Sequence, residues 1–336
     1  MTVIDDCWEA LRQEGRSEAG WHVRRVHAAA PCEILAGLRQ PGAFRGLLLE
    51  MSLDDIPAGL SLPKSKGFVV EPLLLEGGGS GRVRFALVLT DPAYQAVFSV
   101  LCDDVARSAG TAIRPSSAFR NWVNRLHIWQ EFMARHGIQG LSEAAATGLY
   151  GELLILRDLV IPSAGGAAAV QAWSGPLGEP NDFAFARGFL EVKTTIRQVP
   201  ELIEISDVDQ LDETRGTILL AHVKLRPSPV GETLPDLVSA VRGALACEAA
   251  DHLQRFEQLL ISVGYIDAHA DLYDRTYSPV AIDFFRVAEG FPRLRRADLR
   301  HGIRFCSYTI EVSACSAHTT ETETLRLLFS EAESHD

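Results

Sequence analysis

The chain has 336 residues, of which 47% are apolar and 23% charged, a composition that excludes a disordered, collagen-like or coiled-coil protein. Its formal net charge of −12 argues against strong non-specific binding of nucleic acid by the whole surface, while a local basic face is still allowed. The six cysteines are scattered without Cys-x-x-Cys spacing, which indicates neither a disulfide framework nor a zinc site. Because the sequence has neither a long apolar run nor a signal-peptide pattern, we expect a cytoplasmic protein.

Residues 1–110 are predicted to form a β-rich α+β domain that serves as a scaffold or in recognition. Short apolar or alternating runs indicate strands at Trp21–Val26, Phe68–Leu75 and Val83–Leu89, and Gly77–Gly81 is predicted to be a flexible turn. A helix follows the last of these strands. No segment of this region has catalytic spacing.

Residues 111–336 are predicted to form a second domain with a C-terminal extension. Its first helix runs from Ala118 to about His136, and we interpret the aromatic residues at helical spacing along it as core rather than as a base-stacking surface. The acidic end of the chain, including Glu331 and Asp336, is expected to be a helix that frays.

The next helix begins after Ser142, a typical N-cap residue, and carries the carboxylate of Glu152. Leu149, Leu153 and Leu156 form an apolar stripe at helical spacing, with Glu152 at its edge. Helical glutamates are common on solvated faces, so Glu152 alone indicates no function.

A β-hairpin is predicted from Asp182 to Thr195, with Arg187-Gly188 as its two-residue turn. This register places Asp182 opposite Lys193 and about one diagonal step from Glu191. The hairpin therefore gathers two carboxylates and one lysine from otherwise apolar sequence.

Period-two alternation puts Glu191 and Lys193 on one face of the strand and sends Leu190 and Val192 into the core. Two converging carboxylates repel each other unless a cation or a shared proton lies between them, so Asp182 and Glu191 suggest a hard divalent cation such as Mg²⁺. Lys193 can hold an anionic oxygen or a nucleophilic water beside that ion. The alternative is an ordinary charged strand face with a cross-strand Asp–Lys pair.

After the hairpin comes an acidic stretch, Glu201–Glu213, that we interpret as a solvated face. Thr217–Leu225 is predicted to be the neighbouring strand of the core sheet, and we interpret its His222 as a structural residue.

The clearest basic concentration lies between Phe285 and Arg304. This segment has six arginines and two acidic residues, Glu289 and Asp298, which gives a local net charge of 6 − 2 = +4. Arginine makes bidentate contacts with phosphate and can read guanine, so this region is the first candidate for a DNA-contacting surface. The alternative is an ordinary interface or a solvated loop. The nucleic-acid-binding candidates are Arg286, Arg293, Arg295, Arg296 and Arg300.

The order and spacing of the charged segments resemble the PD-(D/E)XK nuclease superfamily. The matching residues are Glu152, Pro180-Asn-Asp182, with an Asn inserted between Pro and Asp, and Glu191-Val-Lys193. More narrowly, Gly151-Glu152-Leu, Pro-Asn-Asp-Phe and Leu-Glu-Val-Lys-Thr-Thr resemble an uncharacterised bacterial family of PD-(D/E)XK-like proteins found among restriction and phage-defence systems. The superfamily resemblance covers about residues 142–225, and the narrower one covers most of the chain.

The resemblance implies a restriction-endonuclease-like α/β core, a mixed sheet flanked by helices, after the N-terminal β-rich domain. It implies that Asp182 and Glu191 bind Mg²⁺, or Mn²⁺ in its place, together with the Val192 carbonyl. Glu152 would support metal binding from its helix, and Lys193 would position or activate the attacking water.

The function expected from these features is that of a Mg²⁺-dependent endonuclease that hydrolyses DNA phosphodiester bonds in restriction or phage defence. The first alternative is a catalytically silent recognition or assembly subunit that keeps the nuclease fold, and the second is a metal-dependent hydrolase of another substrate. The net charge of −12 leads us to expect weak DNA binding by the isolated chain, and therefore a homodimer or a partner protein. The sequence has no Walker A, Gly-x-Gly-x-x-Gly, Gly-x-Ser-x-Gly or His-Glu-x-x-His motif to support other enzyme classes.

Overall fold

The computed structural model describes residues 2–75, 81–196 and 201–329. The chain divides into two compact units, Met1–Gly140 and Leu141–Asp336, so the division falls later than the boundary expected at residue 110. Most of the turn predicted at Gly77–Gly81, and the acidic end of the chain with Glu331 and Asp336, lie outside the described residues. No helix among the described residues is long and apolar enough to cross a membrane.

In its described residues the N-terminal unit is an antiparallel sheet with three α-helices, which agrees with the β-rich region expected from the sequence. The sheet has the strand order β1-β2-β3-β5-β4. Its elements are α1 (Val3–Gln13), β1 (Gly20–Arg25), β2 (Glu33–Gln40), β3 (Phe44–Ser52), β4 (Phe68–Leu74), β5 (Arg82–Leu89), α2 (Gln95–Gly110) and α3 (Pro115–Arg135).

Helix α3 belongs to the N-terminal unit because it packs against α2. The buried Arg125 forms an ion pair with Asp104 of α2, and the Trp129 indole nitrogen donates to the same carboxylate at 2.8 Å. Asn121 also donates to the Ser108 carbonyl at 3.1 Å. The aromatic residues of α3 are buried, as expected, but they lie in the core of the unit that precedes them.

The C-terminal unit is built on a five-stranded mixed sheet of order β12-β10-β9-β7-β6, in which β7 and β9 are parallel and the other pairs antiparallel. A separate antiparallel pair joins β8 to β11. The helices are α4 (Glu143–Ile155), which continues through one π-helical turn into α5 (Ile161–Ala164), then α6 (Gly166–Ala172), α7 (Leu234–Glu248), α8 (Ala250–Val263) and α9 (Arg326–Phe329). The strands are β6 (Phe183–Phe185), β7 (Gly188–Thr195), β8 (Leu202–Ile205), β9 (Thr217–Glu232), β10 (Tyr277–Val287), β11 (Tyr308–Glu311) and β12 (Thr319–Thr320).

The two faces of this mixed sheet have different coverings. Leu190 and Val192 of β7 lie in the larger core, which also contains apolar residues of α4, α7 and α8. The opposite face carries a smaller cluster in which Ile203 of β8 packs with Leu220 and Phe285. The alternation predicted for β7 is therefore confirmed for its two core residues.

The register predicted for the hairpin is wrong. Phe183 pairs with Leu190 and Phe185 with Gly188, so the two residues between the strands are Ala186 and Arg187. Continuing this register by one pair places Asp182 opposite Glu191 rather than opposite Lys193. A Cβ on Gly188 would lie 2.2 Å from the Thr217 carbonyl oxygen, so this glycine allows β9 to approach and is not a turn residue.

Helix α4 lies directly against strand β7 at Gly151. A Cβ at this position would lie 1.8 Å from the Oγ1 atom and 3.0 Å from the Cβ atom of Thr194. The glycine before Glu152 therefore sets how closely the helix can bring that carboxylate to the strand.

We expect Gly151→Ala to destabilise the protein by about 1–3 kcal/mol, because the added methyl group overlaps Thr194. Gly148→Ala is the matched control on the same helix: its Cβ would meet no atom within 4 Å, and alanine is favoured over glycine in helices by about 1 kcal/mol. Combining Gly151→Ala with Thr194→Ala should recover part of the loss. Urea unfolding measures all three, and equal stability of the two single variants would contradict the close packing.

Candidate active site

The structure brings together the four residues that the sequence singled out. Glu152 lies on α4, Asp182 immediately before β6, and Glu191 and Lys193 on β7. A Cβ on Gly175 would lie 3.0 Å from Asp182 Oδ1 and 3.3 Å from Glu152 Oε2, so these two carboxylates face one point.

Asp182 is held in place by backbone groups on two sides. Its Oδ2 atom accepts a hydrogen bond of 2.7 Å from the Val192 backbone N–H. Its carbonyl oxygen accepts from the backbone N–H groups of Ser174 and Gly175, at 2.8 and 3.0 Å. The carboxylate is therefore tied to β7 by its side chain and to the segment after α6 by its backbone.

Glu191 is fully buried in the middle of β7. Its Oε1 atom lies 2.9 Å from Lys193 Nζ, an ion pair without the alignment of a hydrogen bond. Its Oε2 atom accepts a hydrogen bond of 3.1 Å from Asn181 Nδ2. In the sequence, Asn181 looked only like an insertion in the motif. In the structure, it holds one of the site's carboxylates.

Gln210 is a site residue that the sequence reasoning missed. Its Oε1 atom accepts from Lys193 Nζ at 3.0 Å and from the Ser206 backbone N–H at 3.1 Å. Its carbonyl oxygen accepts from Asn181 Nδ2 at 2.7 Å. The available signal was a glutamine between the apolar Val208 and Leu211, but it lay within a stretch that looked merely acidic.

The acidic stretch is not simply a solvated face, because arginines of the basic region bind it. Arg293 pairs with Glu213 and donates to the Leu211 carbonyl at 3.0 Å. Arg296 donates to both carboxylate oxygens of Asp209, at 2.8 and 2.6 Å. These contacts fix the short 3₁₀-helix Val208–Leu211 that carries Gln210.

The predicted nucleic-acid-binding arginines therefore separate into two groups. Arg293 and Arg296 bind the acidic stretch, and Arg295 pairs with its neighbour Asp298 at 3.3 Å. Arg286 and Arg300 have exposed side chains. Of the five predicted arginines, Arg286 and Arg300 therefore remain the best candidates for contacting DNA, since the other three bind carboxylates of the protein.

Burial raises the pKa of all three carboxyl groups, and repulsion from neighbouring carboxylates adds to this for Glu152 and Asp182. Burial raises the pKa of Glu152 to about 7, the charge of Glu191 adds to this, and the 2.8 Å hydrogen bond from the Trp173 indole opposes it. Burial, followed by the charges of Glu191 and Glu152, raises the pKa of Asp182 well above its usual range. Burial also raises the pKa of Glu191, although the charge of Lys193 opposes it.

Lys193 keeps its proton. Burial lowers its pKa, but the charge of Glu191 and the contact with it, followed by the charges of Asp182 and Glu152, raise the pKa above the usual lysine value. The ammonium group can therefore donate hydrogen bonds to a water or to a phosphate oxygen, and it is not a ready base.

The donor set fits a hard divalent cation. When ionised, the three carboxylates carry three negative charges against the single positive charge of Lys193, an excess that one divalent cation neutralises. Carboxylate oxygens are the ligands that Mg²⁺ and Mn²⁺ prefer. The point above Gly175 has no side chain to fill it, and the oxygens of Asp182 and Glu152 converge on it.

Residues 4–313 match the family model described as "Putative PD-(D/E)XK family member, (DUF4420)". The chain belongs to this family. The match extends over both compact units, and it confirms the resemblance inferred from the sequence. No curated protein and no solved structure matches the chain significantly.

Proteins of the PD-(D/E)XK superfamily are generally nucleases and typically use divalent metals. Family membership therefore supports a nuclease-like fold for a chain whose carboxylates and lysine already suggest metal chemistry.

The raised pKa of Glu152 makes a pH-dependent prediction for the metal-free protein. Between its ordinary value of 4.5 and about 7, the folded protein holds a proton that the unfolded chain has released. The corresponding stabilisation is present below pH 4.5 and is lost as the pH rises towards 7. Glu152→Gln stays neutral and keeps an oxygen that can accept from Trp173.

In the presence of a chelator, Glu152→Gln should unfold close to the wild-type temperature at pH 5 and about 5–10 °C higher at pH 8. Saturating Mg²⁺ should reduce or invert this difference, because the variant lacks a metal ligand. Thermal unfolding by circular dichroism measures it, and Glu131→Gln, an exposed helical residue, is the control. A pH-independent difference would contradict the burial of an ionisable Glu152.

Proposed function

We propose that the protein is a divalent-metal-dependent nuclease that hydrolyses DNA phosphodiester bonds, with Mg²⁺ as its cofactor and Mn²⁺ as a substitute. The observation that carries this proposal is the convergence of Glu152, Asp182, Glu191 and Lys193 on one site from three separate segments of the chain. Family membership supports the same reaction class.

The proposal includes a restriction-endonuclease-like core within the C-terminal unit. In support, a helix, α4, packs on a mixed sheet in which the antiparallel β6–β7 hairpin is followed by the parallel neighbour β9. This arrangement brings the motif residues together from α4, from the residue before β6 and from β7.

Asp182 and Glu191 would hold the metal together with the Val192 carbonyl, and Glu152 would support it from the helix. The bound metal would stabilise negative charge on the phosphate and lower the pKa of a bound water. Lys193 would orient the attacking water or a phosphate oxygen by donating a hydrogen bond. Gln210 and Glu191 would restrict the ammonium group to this task, because both contact it.

Substrate can approach the site from the side of Lys193. A cleft of about 480 Å³ is lined there by Lys193 and the hydroxyl-bearing Thr147, Thr194 and Thr195, together with Glu143, Glu204, His222 and four apolar residues. A lysine and threonine hydroxyls are groups that bind phosphate oxygens.

We further propose that the protein acts in the cytoplasm, in restriction or phage defence, as a homodimer or with a partner protein. The net charge of −12 supports the need for a second binding surface, because counterion release by basic residues drives most DNA affinity. The exposed Arg286 and Arg300 are the proposed phosphate contacts, because Arg293, Arg295 and Arg296 are already paired with carboxylates.

Asp182→Asn and Lys193→Met are each expected to lower Mg²⁺-dependent cleavage of plasmid and linear DNA by about 10²–10⁴-fold. Each removes a charge from the site while keeping the approximate side-chain volume. Glu289→Gln, an exposed residue of the same unit, should cleave like the wild type. Circular dichroism and thermal unfolding establish that the variants are folded.

Cleavage that persists in both site variants would refute the proposed site. Equal, metal-independent DNA binding without cleavage in every variant, the wild type included, would favour a catalytically silent recognition or assembly subunit. Mg²⁺-dependent hydrolysis of a small phosphodiester but not of DNA would favour a hydrolase of another substrate.

Replacing Arg286 and Arg300 together with glutamine should weaken DNA binding by the isolated chain at low salt. The slope of log affinity against log salt concentration should become shallower by about 0.9 for each lost phosphate contact. Arg12→Gln, which removes an exposed arginine of the N-terminal unit, is the charge-matched control for a single replacement. Fluorescence anisotropy across a salt series measures the slope, and an unchanged slope would exclude this surface.

A further inference from the structure

A second charged cluster lies on the same face of the mixed sheet as Glu191 and Lys193. Its members are Glu201, just before β8, His222 on β9 and Asp283 on β10. One potential ligand atom from each of the three lies within 4.8 Å of the other two. Among the described residues, no other three possible ligands meet this distance limit. The three carboxylates of the candidate active site lie farther apart than this.

His222 is the unusual member of the cluster. It is fully buried, and neither of its ring nitrogens has a hydrogen-bond partner among the described residues. A buried polar group without a partner is costly, and such groups are usually bonded to protein, water or a ligand. Burial also lowers the pKa of His222, which favours the neutral ring that binds metals.

The ammonium group of Lys224 already occupies a cation position in this cluster. Its ammonium nitrogen lies 2.8 Å from a Glu201 oxygen and 3.0 Å from an Asp283 oxygen. The ring of His222 is left outside this contact, with neither nitrogen bonded to any described residue. The lone-pair nitrogen of the neutral ring is therefore available to bind a metal. The side chain of Lys224 is partly exposed, so it can turn out to solvent when another cation binds.

We propose that Glu201, His222 and Asp283 form a binding site for a first-row transition-metal dication, distinct from the candidate Mg²⁺ site. One imidazole nitrogen and two carboxylate oxygens suit Zn²⁺, Mn²⁺, Fe²⁺ or Co²⁺, whereas Mg²⁺ prefers oxygen ligands alone. Ligand bonds of about 2.0–2.2 Å require only a modest contraction of the cluster. Glu201 and Asp283 also line a cleft of about 540 Å³, through which an ion can reach the site.

The second cluster adjoins the candidate active site on the sheet but uses different residues. His222 pairs with Lys193 across β7 and β9 and with Asp283 across β9 and β10, so its strand lies one spacing, about 4.8 Å, from the strand that carries Glu191. An ion bound here would join Glu201, and with it the start of β8, to the central sheet.

An ion bound to Glu201 would also affect the candidate active site, because Glu201 lies just before the segment that contacts Lys193. Strand β8 leads directly into the Val208–Leu211 turn, whose Gln210 contacts Lys193. Fixing the start of β8 would therefore hold the segment that positions the lysine.

The experiment uses the full chain carrying Asp182→Asn, stripped of metal with a chelator and then titrated with Co²⁺. Visible absorbance reports Co²⁺ coordination, and calorimetry reports Zn²⁺ binding. We expect one site per chain, at least about tenfold weaker in Asp283→Asn and in Glu201→Gln. Lys224→Met should tighten binding by about tenfold or more, because it removes a positive charge from the site.

Glu204→Gln, an exposed residue of β8, is the matched control and should bind Co²⁺ like its parent. Millimolar Mg²⁺ should not displace Co²⁺. The proposal is overturned if Asp283→Asn and Glu201→Gln bind as tightly as the parent, if Lys224→Met shows no binding, or if Mg²⁺ displaces Co²⁺ readily. Because Asp182 is replaced throughout, the result is independent of whether the chain proves to be a nuclease.

Discussion

The burial of the Glu191 carboxylate is the constraint on which the candidate active site depends. A charge that is fully removed from water requires a cation or hydrogen-bond donors around it. Lys193 and Asn181 meet that requirement from two different segments, and each of them also contacts Gln210 from a third. The hairpin, the turn after β8 and the site are therefore held by one connected set of polar contacts.

That set extends to residues far away in the sequence. Arg293 and Arg296 follow the Val208–Leu211 turn by more than eighty positions, and they bind its carbonyl and carboxylate groups. Charge counting along the sequence suggests two independent surfaces, one acidic and one basic, because it cannot detect pairing across the fold. The structure joins the two surfaces, so part of the region expected to contact DNA also stabilises the position of Lys193.

The sequence was sufficient to select Glu152, Asp182, Glu191 and Lys193, because each is a charge in apolar surroundings and their order matches a known motif. It was not sufficient for the hairpin register, since Gly188 looks like a turn residue until the close approach of Thr217 is known. The domain boundary was misplaced for a similar reason. The apolar stripe of α3 shows that the helix packs against something, but not that its partner is the preceding α2.

On the same face of the sheet, two groups of carboxylates are each paired with a lysine. Lys193 offsets Glu191 in the candidate active site, and Lys224 of the neighbouring strand β9 offsets Glu201 and Asp283. In each place a lysine occupies a position that a metal cation could share or take over, but the neighbouring donors differ. The first site offers only oxygen ligands, whereas the second adds a buried imidazole with no partner among the described residues. Ligand chemistry, rather than net charge, is therefore what would direct Mg²⁺ to one site and a transition metal to the other.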